Sequence, residues 1–193
     1  MNTNENAPRF TKVSLRTAAI IAGMGLLLMA ILSPIALLNT FPSLVKFDDA
    51  ALTAQNILNS MGAFRTAVLL LFVVALLDVV VAWGLYIVLM PANKNLSALA
   101  AWLRVIYAGI FIFAISKLFV AMQVLTADGV QAMSFLKAFQ NIFDKGLILF
   151  GFHLLVLGYL AFKSGYVPKW LGTFLVLAGL GYIVDGFGRM LFP

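Results

Sequence analysis

Apolar positions in this chain come in long unbroken stretches, and polar positions collect in the gaps between them. Five stretches of roughly 20 residues stand out, enough at about 1.5 Å per residue to cross a hydrocarbon core of about 30 Å. They predict spans over 17–38, 64–89, 97–125, 146–162 and 170–191. The apolar residues do not alternate with polar ones, so helices are expected and a barrel is not. In the first span Gly23 and Gly25 are expected to let a neighbour approach closely, and Pro34 to kink the final turns before Asn39, Thr40, Phe41 and Pro42 end it. Residues 43–63 read as a long connection, in which Asp48 and Asp49 start a short helix lying on the membrane surface. Residues 90–95 read as a tight turn and 126–145 as a second long connection. The last two spans form a hairpin about a short loop, 163–169. Residues 1–16 are a polar leader to a single transmembrane domain, 17–193. The first apolar run is too long for a signal peptide and is expected to be retained.

Composition agrees with that pattern and narrows the function. The chain is 63% hydrophobic and 10% charged, against about 25% charged in a soluble domain. Lipid must therefore be the solvent for most of it, with backbone groups paired inside helices. The net charge of +6 would raise nucleic acid as a partner of a soluble protein. Here the cations sit between apolar runs, where membrane topology accounts for them, and no nucleic-acid partner is expected. Arg9, Lys12 and Arg16 lie in the leader, and Lys94, Lys163 and Lys169 in acid-free short loops. The long connections mix Lys46, Lys137 and Lys145 with Asp48, Asp49, Asp128 and Asp144. The acid-free side is expected to be cytoplasmic, which places the N-terminus inside. The sequence holds no cysteine and one histidine, so no metal site and no cofactor is expected. It carries no phosphate loop and no nucleophile elbow, which leans away from an enzyme.

Candidate chemistry lies in ionisable residues inside the spans, which are expensive in lipid and mark either function or a paired lock. Counted from the cytoplasmic ends, Asp78 lies about 18 Å deep, His153 about 15 Å and Arg104 about 10 Å, with a side chain able to reach towards Asp78. Ala75, Ala82 and Tyr86 share the helical face of Asp78, and Tyr107, Ala108 and Phe111 that of Arg104. Gly151 and Gly158 share a close-packing face from which His153 points away. Two readings follow for Asp78, Arg104, His153 and Tyr86: a structural ion pair, or a polar cluster that binds a small solute or relays protons. Asp185 and Arg189 form a favourable i,i+4 pair, and Lys117 either snorkels outward or meets Asp185. Trp83, Trp102, Trp170, Tyr166 and Tyr107 are expected at the cytoplasmic interface.

The segments LLDVVVAWGLYIVLMPANKNLSALAAWLRVIYAG and FGFHLLVLGYLAFKSGYVPKWLGTFLVLAGLGYIVD resemble the membrane family catalogued as "domain of unknown function 4386". The family's pattern falls on Asp78, Tyr86, Pro91, Arg104, His153, Gly158, Gly165, Pro168, Gly172, Gly179 and Tyr182. The resemblance implies a helical bundle in a bacterial inner membrane and supplies no activity. Family members usually continue into a sixth span carrying an acid and a Trp, whereas this sequence ends at Pro193 with five. The expectation is therefore an all-α polytopic bundle, embedded in a lipid bilayer, that binds or moves a small solute or protons. The alternative is a non-catalytic scaffold, accessory or sensor subunit acting with a second copy or a partner, and no internal repeat supports an inverted-repeat transporter. A lipid-modifying enzyme is a third reading, and no nucleophile motif supports it.

Overall fold

The computed structural model describes residues 13–192; Arg9 and Lys12 of the expected basic leader, and Pro193, lie outside them. The described chain is helical: α1 (Leu15–Pro34), a π-helical segment (Ile35–Thr40), α2 (Phe41–Leu44), α3 (Ala50–Asn59), α4 (Met61–Leu89), α5 (Lys94–Val124), α6 (Gly129–Ser164) and α7 (Lys169–Leu191). Among the described residues, five helices are long and apolar enough to cross a membrane. They stand in chain order, α1 against α4, α4 against α5, α5 against α6 and α6 against α7. The row bends on itself without closing, and among the described residues no α-carbon of α1 comes within 8 Å of one in α7.

The segment boundaries depart from expectation at two places. The first span does not stop at Pro42. Pro34 cannot donate a helical hydrogen bond, and the ladder re-forms after it as a π-helical turn that leads without a break to Leu44. Residues 126–145 are not a connection: α6 begins at Gly129 and runs 36 residues, about 54 Å at 1.5 Å per residue and longer than the hydrocarbon is thick. Its first turns bury Ala132, Met133, Leu136 and Phe139 at helical spacing, while Lys137 and Lys145 stay exposed. The helix starts where Asp128, in extended conformation, accepts the Gln131 backbone N–H at 2.9 Å. Asp128→Ala is expected to cost about 1 kcal/mol and to speed amide exchange through the first turn of α6. Hydrogen exchange in detergent reads this out; an unchanged rate at Gln131 refutes it.

The short helix expected after Asp48 and Asp49 is α3, with Asp49 accepting the Leu52 N–H at 2.9 Å. It packs on α6. Buried Thr53 ties the preceding turn to it, donating to the Lys46 carbonyl at 2.9 Å and accepting the Lys46 N–H at 2.8 Å. Beneath this cap, Phe41 packs on Phe64 and Phe139, each with ring centroids 5.5 Å apart.

At the opposite end Asn93 caps α5, and Ser97 Oγ donates to the Tyr86 carbonyl at 2.8 Å, pinning the α4–α5 turn. Gly165 takes φ +75° to end α6, a conformation that favours glycine. The Tyr166 hydroxyl donates to the Val88 carbonyl across to α4. Trp83, Trp102, Trp170 and Tyr166 are exposed at this end. Tyr107 is not: it is 7% exposed and packs on Phe150 and Phe111, with centroids at 4.9 and 6.1 Å.

Glycine sets how close the spans approach. Gly25 meets Val81 and Gly84 meets Ala22 between α1 and α4, while Gly23, expected to do the same, faces open space. Gly151 and Gly158 of α6 lie on Gly179 and Gly172 of α7 so closely that an added Cβ would strike backbone carbonyl oxygen.

Candidate functional site

Asp78, Arg104 and His153 project from the middle helices of the row, α4, α5 and α6, into the interior, with exposures of 1%, 2% and 1%. Each arrives there by helical periodicity. Asp78 shares a buried stripe with Val74, Ala75, Val81 and Ala82. Arg104 shares one with Ala100, Tyr107, Ala108 and Phe111. The alanines keep α4 and α5 close enough for the two side chains to meet, and Arg104 Nη2 stands 2.7 Å from Asp78 Oδ1. The contact is an ion pair bent away from hydrogen-bond alignment.

The remaining geometry fixes the histidine tautomer. Arg104 Nη1 lies 3.3 Å from His153 Nε2, and His153 Nδ1 lies 2.8 Å from the Ala100 carbonyl oxygen. A guanidinium only donates and a carbonyl only accepts. His153 therefore accepts a hydrogen bond from Arg104 at Nε2 and donates one from Nδ1, which makes it neutral. One polar chain runs Asp78, Arg104, His153, Ala100. Asp78 and His153, expected to meet near the midplane, are bridged by the arginine. The guanidinium also lies 5.5 Å from the centre of the Phe150 ring, and Nη2 has Met29 Sδ at 3.8 Å. Arg104 Nε is buried with no acceptor, a deficit of about 1–3 kcal/mol for an unmatched donor.

Arg104 belongs to a second feature. A cleft of about 440 Å³ runs beside it, within the range of about 300–1,000 Å³ of small-molecule sites. Its walls are apolar: Leu26 and Met29 from α1, Leu85 and Val88 from α4, Leu154 and Leu157 from α6, Leu171 and Leu175 from α7. Arg104 is the polar member of the lining. No sequence signal reveals the cleft, because its walls come from spans far apart in the chain and are ordinary leucines and valines. Met29, in contact with Arg104, is likewise invisible to helix-by-helix reading.

Tyr86 does not join the triad. It lines a groove on the other side of α4, with Trp83, Ala98 and Trp102. At the far end Arg189 meets Asp185 at 2.9 Å, as expected, and also reaches Asp144 at 3.8 Å, which accepts from Gln140 at 2.8 Å. Lys117 makes no ion pair with Asp185; its Nζ lies 4.4 Å from the Phe113 ring centre, which leaves the snorkelling alternative. Among the described residues no group of three metal-ligating side chains occurs.

Comparison with known proteins gives kinship without an activity. An uncharacterised protein of Archaeoglobus fulgidus is 43% identical over 115 residues, a match that takes in 60% of this chain and 62% of that protein's length. The likeness thus extends to an archaeon. No solved structure matches. The sequence profile described as "Domain of unknown function (DUF4386)" matches residues 21–193 and so takes in most of the first span, the other four and the whole triad, and the chain belongs to that family.

Proposed function

We propose that this protein binds a small solute inside the bilayer, in the cleft beside Arg104, and that the triad holds the arginine in place for that purpose. The observation that carries the reading is that Arg104 is shared: it closes the ion pair with Asp78 and also lines the cleft. A structural lock has no need of an adjoining cavity, and a proton relay through His153 would first have to break its contact with Arg104. The basic, acid-free short loops support an N-terminus on the cytoplasmic side of a bacterial inner membrane.

A scaffold or accessory role is the second reading. It is favoured by α7, which has α6 as its main neighbour and leaves a broad apolar face uncovered.

The first reading is tested by what the protein carries out of its own membrane. The native chain should retain about one small molecule per protein through purification. Leu157→Trp, which fills the cleft, should lose it. Mass spectrometry of the two extracts compares them, and identical complements would sink the reading.

A further inference from the structure

The shape and chemistry of the cleft say more than that a solute binds. Its walls are made by every span, yet the backbones of α1 and α7, which flank it, nowhere approach within 8 Å among the described residues. Leu26 and Ala30 on the α1 side and Leu171 on the α7 side are exposed and apolar. A gap rimmed by such residues communicates with lipid, since a solute arriving from water would meet no polar group on the way in. Deeper in, the lining remains aliphatic until Arg104 and the ring of Phe150.

The arginine selects the head of the ligand. Its charge is already matched by Asp78 at 2.7 Å, and its second face is spent on His153 at 3.3 Å. A carboxylate or phosphate placed here would be a second anion sharing one buried cation, with its own hydration lost. What Arg104 still offers is Nε–H, buried and without an acceptor. An uncharged oxygen acceptor such as a carbonyl satisfies that donor and adds no net charge.

Resting on the reading that the cleft is a binding site, we infer that its ligand is an elongated, membrane-dissolved molecule with an uncharged carbonyl head. It enters sideways between α1 and α7 with its hydrocarbon along the leucines and its carbonyl on Arg104.

The test uses the full chain in phosphatidylcholine nanodiscs, equilibrated at about pH 9.5, where a membrane-dissolved carboxylate is ionised, with deuterated oleamide, oleate or cis-9-octadecene. These probes share a chain length and differ in the head: uncharged carbonyl, carboxylate and none. Probe retained per protein is measured by mass spectrometry. Oleamide should exceed the other two by about ten-fold, the discrimination expected of one buried hydrogen bond. Retention should fall to background in Ala30→Trp, which blocks the exposed mouth and leaves the core intact, and in Leu157→Trp. Oleate retained as well as oleamide, and lost in Ala30→Trp, overturns the uncharged head and leaves the cleft as a site. Equal retention of cis-9-octadecene overturns recognition by Arg104. No probe held above the level of Ala30→Trp overturns the cleft as a binding site altogether.

Discussion

Asp78→Asn is expected to destabilise the folded bundle by about 3–5 kcal/mol, the cost of leaving one member of a buried ion pair without its partner. The substitution keeps the shape of the side chain and removes only the charge. Arg104, 2% exposed and out of reach of solvent, then has a neutral histidine, a thioether and an aromatic ring around it. None of these carries a compensating negative charge. Reversible unfolding in bicelles, followed by steric trapping, measures the difference; a loss under about 1 kcal/mol would show that the pair is not holding the spans together. The double replacement Asp78→Leu with Arg104→Met separates structure from function. Exchanging both charges for apolar groups of similar bulk is often neutral, so this protein should recover most of the lost stability. Its solute retention should still fall about ten-fold below that of the native chain, because the donor proposed to hold the solute is gone. The interaction term from the full mutant cycle isolates the pair itself.

Gly158→Leu is expected to pull α7 away from α6. A Cβ at residue 158 would stand 2.9 Å from the Gly172 carbonyl oxygen and 2.7 Å from Val176 Cγ2. The carbonyl belongs to a helix backbone and cannot rotate aside, so α7 must move as a body. Overpacking of this kind costs about 1–3 kcal/mol, and here it acts on a helix that has one main neighbour. The sequence holds no native cysteine, so spin labels at Phe152→Cys on α6 and Leu180→Cys on α7, both on exposed positions, report the separation cleanly. Pulsed electron paramagnetic resonance should give a longer and broader distance distribution in Gly158→Leu. Gly181→Leu, on the same α7 but facing open space, should leave it unchanged. Identical distributions in all three proteins would mean that the glycine contact does not set the spacing. Because α7 carries Leu171 and Leu175, its displacement should also weaken solute retention.

The spans were legible because lipid demands a simple signal, an apolar run of sufficient length. The α6–α7 contact was legible for a related reason: Gly151 and Gly158 recur on one helical face, and His153 falls on another. Arg104 reaching Asp78 followed from depth and side-chain length. The extent of α6 was hidden because its first half is amphipathic: Lys137, Asp144 and Lys145 dilute the apolar signal, while Ala132, Leu136 and Phe139 face α3 and the phenylalanine cap. Tyr86 shows the limit of face-sharing arguments. It follows Asp78 by two turns, yet the broad buried face of α4 serves different neighbours on its two sides. Tyr107, placed at the interface by residue type, is drawn inside by packing between Phe111 and Phe150. The cleft was out of reach from the sequence, because a cavity is a property of how five helices curl, and no local pattern encodes that.

The open row of spans also bears on how the chain is assembled during synthesis. Each long helix after the first docks on the one made just before it, although α5 has its larger interface with the α6 that follows, so a nascent span leaving the insertion machinery finds a partner already in the membrane. No span has to wait for a distant one to complete its main interface, a local order that favours fast folding and keeps apolar helix faces from standing unpaired among other nascent chains. The cap is the exception. Helix α3 emerges early but packs on the first turns of α6, so this end of the molecule is sealed only after α6 has been made.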